Sequence, residues 1–76
     1  MNKSRRKRID ESLNKLADAQ AAIKKALEEE KLALAKVPDD DDNGEKREAM
    51  DEIISSLEDV LSSLDEAIDT LEDADF

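Results

Sequence analysis

The chain has 76 residues, a formal charge of −10 and no cysteine, histidine, tryptophan or tyrosine. Without Cys or His there is no disulfide framework, thiol nucleophile, histidine base or ordinary zinc site. Its one aromatic residue, Phe76, cannot make a stacking platform for bases, and the length limits the chain to one small domain.

Charged residues make up 45% and apolar residues 38%, which fits either a long exposed helix or disorder; periodicity has to decide. The longest apolar run is Leu32 to Ala35, too short to span a membrane. No hydrophobic region follows the basic start, so no secretory signal is expected and the protein is predicted to be soluble and cytoplasmic. Charge is unevenly placed: +5 over residues 1–8, −1 over 9–36 and −14 over 37–76, with no base after Arg47. Such asymmetry points to an interaction surface or an internal charge clamp.

Residues 1–8 read as a basic arm, either disordered in part or the first turn of a helix. Helix 1 is predicted over 9–37. Ile9, Leu13, Leu16, Gln20, Ile23, Leu27, Glu30, Leu34 and Val37 alternate steps of four and three, with Ala19, Ala26 and Ala33 beside them at intervals of seven. Gln20 and Glu30 interrupt this seam. They either fix register or oligomer state or sit at its edge in water, and Glu30 has Lys46 or Arg47 as a possible mate.

Pro38 stops the helix, and 38–44 read as an acidic turn. Asp42 and Glu45 have capping-box spacing. Asp39, Asp41 and Asn43 match the first half of a calcium-loop pattern, but Met50 falls where the bidentate Glu belongs. The alternative is a polar turn with Asx caps, so no metal or other cofactor is assigned.

Helix 2 is predicted over 45–74, in repeats of two acids, two apolar residues, two small polar residues and a leucine, beginning at Asp51, Glu58 and Asp65. This regularity settles order against disorder. The predicted fold is all-α: two long antiparallel helices, a helical hairpin, dimerising into a four-helix bundle to cover faces too wide for one hairpin. The predicted oligomer seam is Leu13, Leu16, Ile23, Leu27 and Leu34 with Ile54, Leu57, Leu61, Leu64, Ile68 and Leu71.

Three features bear on function. The acid pairs Asp51/Glu52, Glu58/Asp59, Asp65/Glu66 and Glu72/Asp73 recur about every 10.5 Å along a helix. They are either a solvated outer face or a row of charge imitating nucleic-acid phosphates toward a basic protein surface. The basic start is either a phosphate-binding arm or a clamp against Asp69, Glu72, Asp73 and Asp75. An antiparallel hairpin centred near residue 41 would place Arg8 beside Ala74 and Ile9 beside Asp73, relieving two helix ends of the wrong sign for their dipoles. Catalysis has no support, because surface carboxylates in water are not tuned acids or bases.

Taken whole, the chain resembles a group of small acidic helical-hairpin proteins encoded by phages and prophages. The residues that carry the resemblance are Arg5-Arg6-Lys7, Glu28-Glu29-Glu30 leading to Pro38, Gly44-Glu45, Ala49-Met50, Asp65-Glu66-Ala67 and Glu72-Asp73-Ala74. The uniformly acidic run Asp39–Asp42 departs from the group, and no functional residues carry over. The resemblance implies an origin in a mobile element and a bacterial host cytoplasm. The expectation is therefore a non-enzymatic, homodimeric interaction module, a DNA-mimic inhibitor of a nucleic-acid-handling host protein, which does not itself bind nucleic acid. The alternative is a structural or regulatory homo-oligomeric coiled coil without mimicry.

Overall fold

A computed structural model describes residues 3–74. Helix α1 spans Lys3–Ala35, a 3-10 turn spans Asp41–Asn43, and helix α2 spans Gly44–Asp73; no strand occurs among the described residues. The two helices pack along each other as an antiparallel hairpin. Residues 3–8 belong to α1, so the basic stretch is helical rather than a separate arm.

The chain reverses where Pro38 forbids further helix. Before it, α1 tightens: Lys36 N–H donates to the Ala33 carbonyl (3.1 Å) and Val37 N–H to that of Leu34 (3.0 Å). The capping acid is Asp40, not Asp42. In extended backbone, Asp40 accepts at Oδ1 from the Asn43 backbone N–H (3.0 Å) and side-chain Nδ2 (2.6 Å). The sequence-level capping box fails because a 3-10 turn precedes α2 and places Asp42 inside itself; Asn43, at the α2 N-cap, makes no side-chain cap bond.

Register is fixed across the turn by Arg47, whose Nη1 donates to the Val37 carbonyl (2.7 Å). Counting away from that contact sets Leu34 level with Met50, Glu30 with Ile54, Leu27 with Leu57, Ile23 with Leu61 and Gln20 with Leu64. The midpoint is thus Asp42, one residue beyond the expected centre. Every one of these seam residues is at least partly covered, as are Leu13, Leu16, Ile68 and Leu71, because steps of three and four keep them on one helix face. The seam residues expected to join oligomers are therefore used first between α1 and α2.

This seam is a single layer. Only Leu27 and Ile54 are buried among the described residues. The molecule measures 60 × 15 × 13 Å with a radius of gyration of 17.6 Å, against about 11 Å for a compact chain of this length. Its accessible surface is 5996 Å², where a compact monomer of 8.5 kDa exposes about 4,650 Å². None of the described helices is long and apolar enough to cross a membrane.

Candidate interaction faces

The seam has two edges, and they differ in chemistry. One edge consists of the residues that directly follow Met50, Leu57, Leu64 and Leu71 on α2 and Ile9, Leu16, Ile23 and Glu30 on α1. On α2 these are Asp51, Glu58, Asp65 and Glu72; on α1 they include Lys24 and Lys31. Contacts cross the seam here. Lys31 Nζ lies 3.9 Å from Glu58 Oε2, and the Gln20 side-chain amide donates to the Asp65 carboxylate. Gln20 therefore uses its polar group on the opposite helix rather than in the seam itself. The Lys31–Glu58 pair is half exposed, so it contributes little to stability.

The acidic ladder is thus divided. Asp51, Glu58, Asp65 and Glu72 line the polar edge, where Glu58 and Asp65 reach side chains of α1 and Glu72 borders the open end, although all four stay exposed. Glu52, Asp59, Glu66 and Asp73, one residue further on, form an exposed outer row seven residues apart. The sequence read the eight acids as one stripe. Which member of each pair faces the partner helix follows from Ile54, Leu61 and Ile68 entering the seam.

The opposite edge is apolar. It consists of the residues directly before Ile54, Leu61 and Ile68 on α2 and before Gln20, Leu27 and Leu34 on α1: Ile53, Val60 and Ala67, and Ala19, Ala26 and Ala33, all exposed. Ile53 retains 48% and Val60 44% of its surface. A shallow apolar groove lies against α2 here, bounded by Ala49, Glu52, Ile53, Ser56, Leu57 and Val60. No sequence motif marked this edge. The paired apolar positions 53/54, 60/61 and 67/68 carried its signal.

At the open end, Arg6, Ile9, Asp10 and Leu13 of α1 face Leu71 and Glu72 of α2, and Ala74 just beyond it, around a cleft of about 240 Å³. α1 has no acid in its first turn and α2 no base in its last. The basic start and the acidic end thus share one end of the hairpin, with Arg6 and Glu72 on the same cleft. Asp75, also expected in this clamp, lies outside the described residues.

At the turn, Arg47 Nε lies 4.0 Å from Asp39 Oδ1. Arg47 therefore serves the turn and the Val37 carbonyl instead of Glu30, because its level in the register is Val37. Among the described residues no three acidic side chains are gathered as a metal site requires. Of the calcium-loop candidates, Asp39 faces Arg47, Asn43 donates to Asp40, and Asp41 lies exposed in the 3-10 turn. No family model matches the chain, and neither does any curated protein or solved structure.

Proposed function

We propose that this chain is a non-enzymatic acidic interaction module. It binds a basic surface of a nucleic-acid-handling protein in a bacterial host cytoplasm, as a phage-encoded inhibitor of the DNA-mimic type. One observation carries this reading: a 30-residue helix bearing the exposed row Glu52, Asp59, Glu66 and Asp73, with no base after Arg47. A solvated helix ordinarily gains support from Glu–Lys pairs four residues apart; α2 beyond Arg47 has none. Regular carboxylates on a rigid rod suit a groove built for phosphates, and steering by their field speeds encounter. The same charge opposes direct binding to nucleic acid, and the reading requires no cofactor.

The charge density is modest. The outer row alone gives one charge per about 10.5 Å of helix, and both acids of each pair together about one per 5 Å, against about one per 1.7 Å of duplex DNA. Two copies side by side would halve the spacing to about 2.6 Å. Self-association therefore belongs to the reading. It also has its own support in the surface excess over a compact monomer and in the exposed Ile53 and Val60. A purely structural homo-oligomer is the second reading, with the acids serving only solubility.

The test is affinity capture from bacterial lysate with wild type and with E58Q/D59N/D65N/E66Q, each with and without duplex DNA. A DNA-binding protein held by wild type, displaced by DNA and lost with the variant supports mimicry. Equal capture by both overturns it.

A further inference from the structure

We propose that a second copy of this chain covers the apolar edge, packed antiparallel, so that the turn of each hairpin lies at the open end of the other. The inference rests on the self-association reading and adds to it the surface and the direction.

The surface follows from the division of the hairpin. The polar edge is occupied by contacts between the two helices, Lys31–Glu58 and Gln20–Asp65. The apolar edge gathers Ile53, Val60 and Ala67 with Ala19, Ala26 and Ala33 along one side of the molecule, all exposed. Alanines on α1 let a neighbouring helix approach closely. The occupant follows from area. The chain exposes about 1,300 Å² more than a compact monomer of its mass, and an ordinary interface removes about 800 Å² from each partner. A two-fold pair of identical edges meets that need without a second protein.

Direction follows from two independent gradients along that edge. The first is size. From turn to open end, α2 presents Ile53, then Val60, then Ala67. Antiparallel packing sets the bulky end of one copy against the small end of the other and fills space evenly. Parallel packing puts both copies of Ile53 in one layer at the turn end and leaves a layer of alanines alone at the other. The second is charge. The turn end carries the exposed run Asp39–Asp42 near Lys36, Lys46 and Arg47, and the other end carries the exposed Lys3, Arg5, Arg6, Lys7 and Arg8 of α1 near Asp69, Glu72 and Asp73 of α2, so the turn end is the more acidic of the two. Antiparallel packing brings each acidic turn to the partner's basic helix start, whereas parallel packing sets two runs of aspartate side by side.

Light scattering after size exclusion at 100 μM, with distance measurement between nitroxides on Lys36→Cys, tests both parts; the chain has no other cysteine to label. Wild type is expected to be dimeric, with a label separation of about 35 Å or more from helix rise alone. I53Q/V60Q is expected to weaken self-association at least about a hundredfold while keeping its helicity, because both side chains are already exposed in the single hairpin. A19Q/A26Q, which keeps good helix formers on α1, provides the same disruption from the other helix. A monomeric wild type overturns the self-association reading and this inference with it. A dimer with labels below about 25 Å apart overturns the direction alone. A dimer that survives both double substitutions overturns the surface alone.

Discussion

Arg47, near the start of α2, donates to the backbone carbonyl of Val37 at 2.7 Å, and its Nε lies 4.0 Å from Asp39. Val37 lies two residues beyond the end of α1, where the backbone has left the helix, and one of the last bases in the sequence reaches its carbonyl. That contact spans the turn and matches the register of the seam levels beyond it.

Arg47→Ala should therefore lower stability by about 1 kcal/mol, since a charged hydrogen bond contributes about 1.5–3 kcal/mol and this one is partly exposed. Arg47→Lys should recover only part of the loss, because an ammonium cannot serve the carbonyl and the carboxylate with a planar fork. Thermal melts followed by circular dichroism at 222 nm check both.

Leucines on different sides of α1 should behave differently. Leu27 is 8% exposed and Leu32 64%. Leu27→Ala should cost about 2–3 kcal/mol and Leu32→Ala less than about 0.5 kcal/mol. Urea denaturation of the two variants measures the difference.

Gln20 occupies a seam level opposite Leu64 but sends its amide to Asp65. Gln20→Leu should raise stability by about 1 kcal/mol, because an apolar residue suits the seam better. It should also loosen the choice of register, as polar seam residues often specify alignment. Denaturation reads the first effect, and broadened or doubled amide signals in nuclear magnetic resonance read the second.

Salt should stabilise the hairpin. The −14 carried by residues 37–76 repels itself along α2, while the Lys31–Glu58 pair is half exposed and weak. Raising ionic strength shortens the screening length from about 30 Å at 0.01 M to about 8 Å at 0.15 M and relieves the repulsion first. The melting temperature should rise with sodium chloride. A fall would mean that attraction at the open end outweighs the repulsion.

The hairpin was legible in the sequence because its signals agree. Pro38 stops one helix, steps of three and four mark both seams, and a turn of seven residues, 38–44, leaves no room for another topology. The division of the ladder was less legible. Asp51/Glu52 or Glu58/Asp59 looks the same along the chain, and only the register places one member beside α1 and the other in the outer row. The cap at Asp40 was hidden for a related reason. Four consecutive aspartates offer equal capping chemistry, and the extra 3-10 turn, a backbone choice, selects among them. The apolar edge was obscured by adjacent pairs such as Ile53-Ile54, where periodicity alone does not say which residue is covered.

The most direct test of mimicry uses the outer row. Affinity capture with wild type, with E52Q/D59N/E66Q/D73N, and with the polar-edge set D51N/E58Q/D65N/E72Q would be compared under titrated duplex DNA. The account predicts that wild type holds a DNA-binding protein which duplex DNA displaces, and that neutralising the outer row abolishes capture while helicity persists. Capture unchanged by loss of the outer row, or insensitive to DNA, would contradict it.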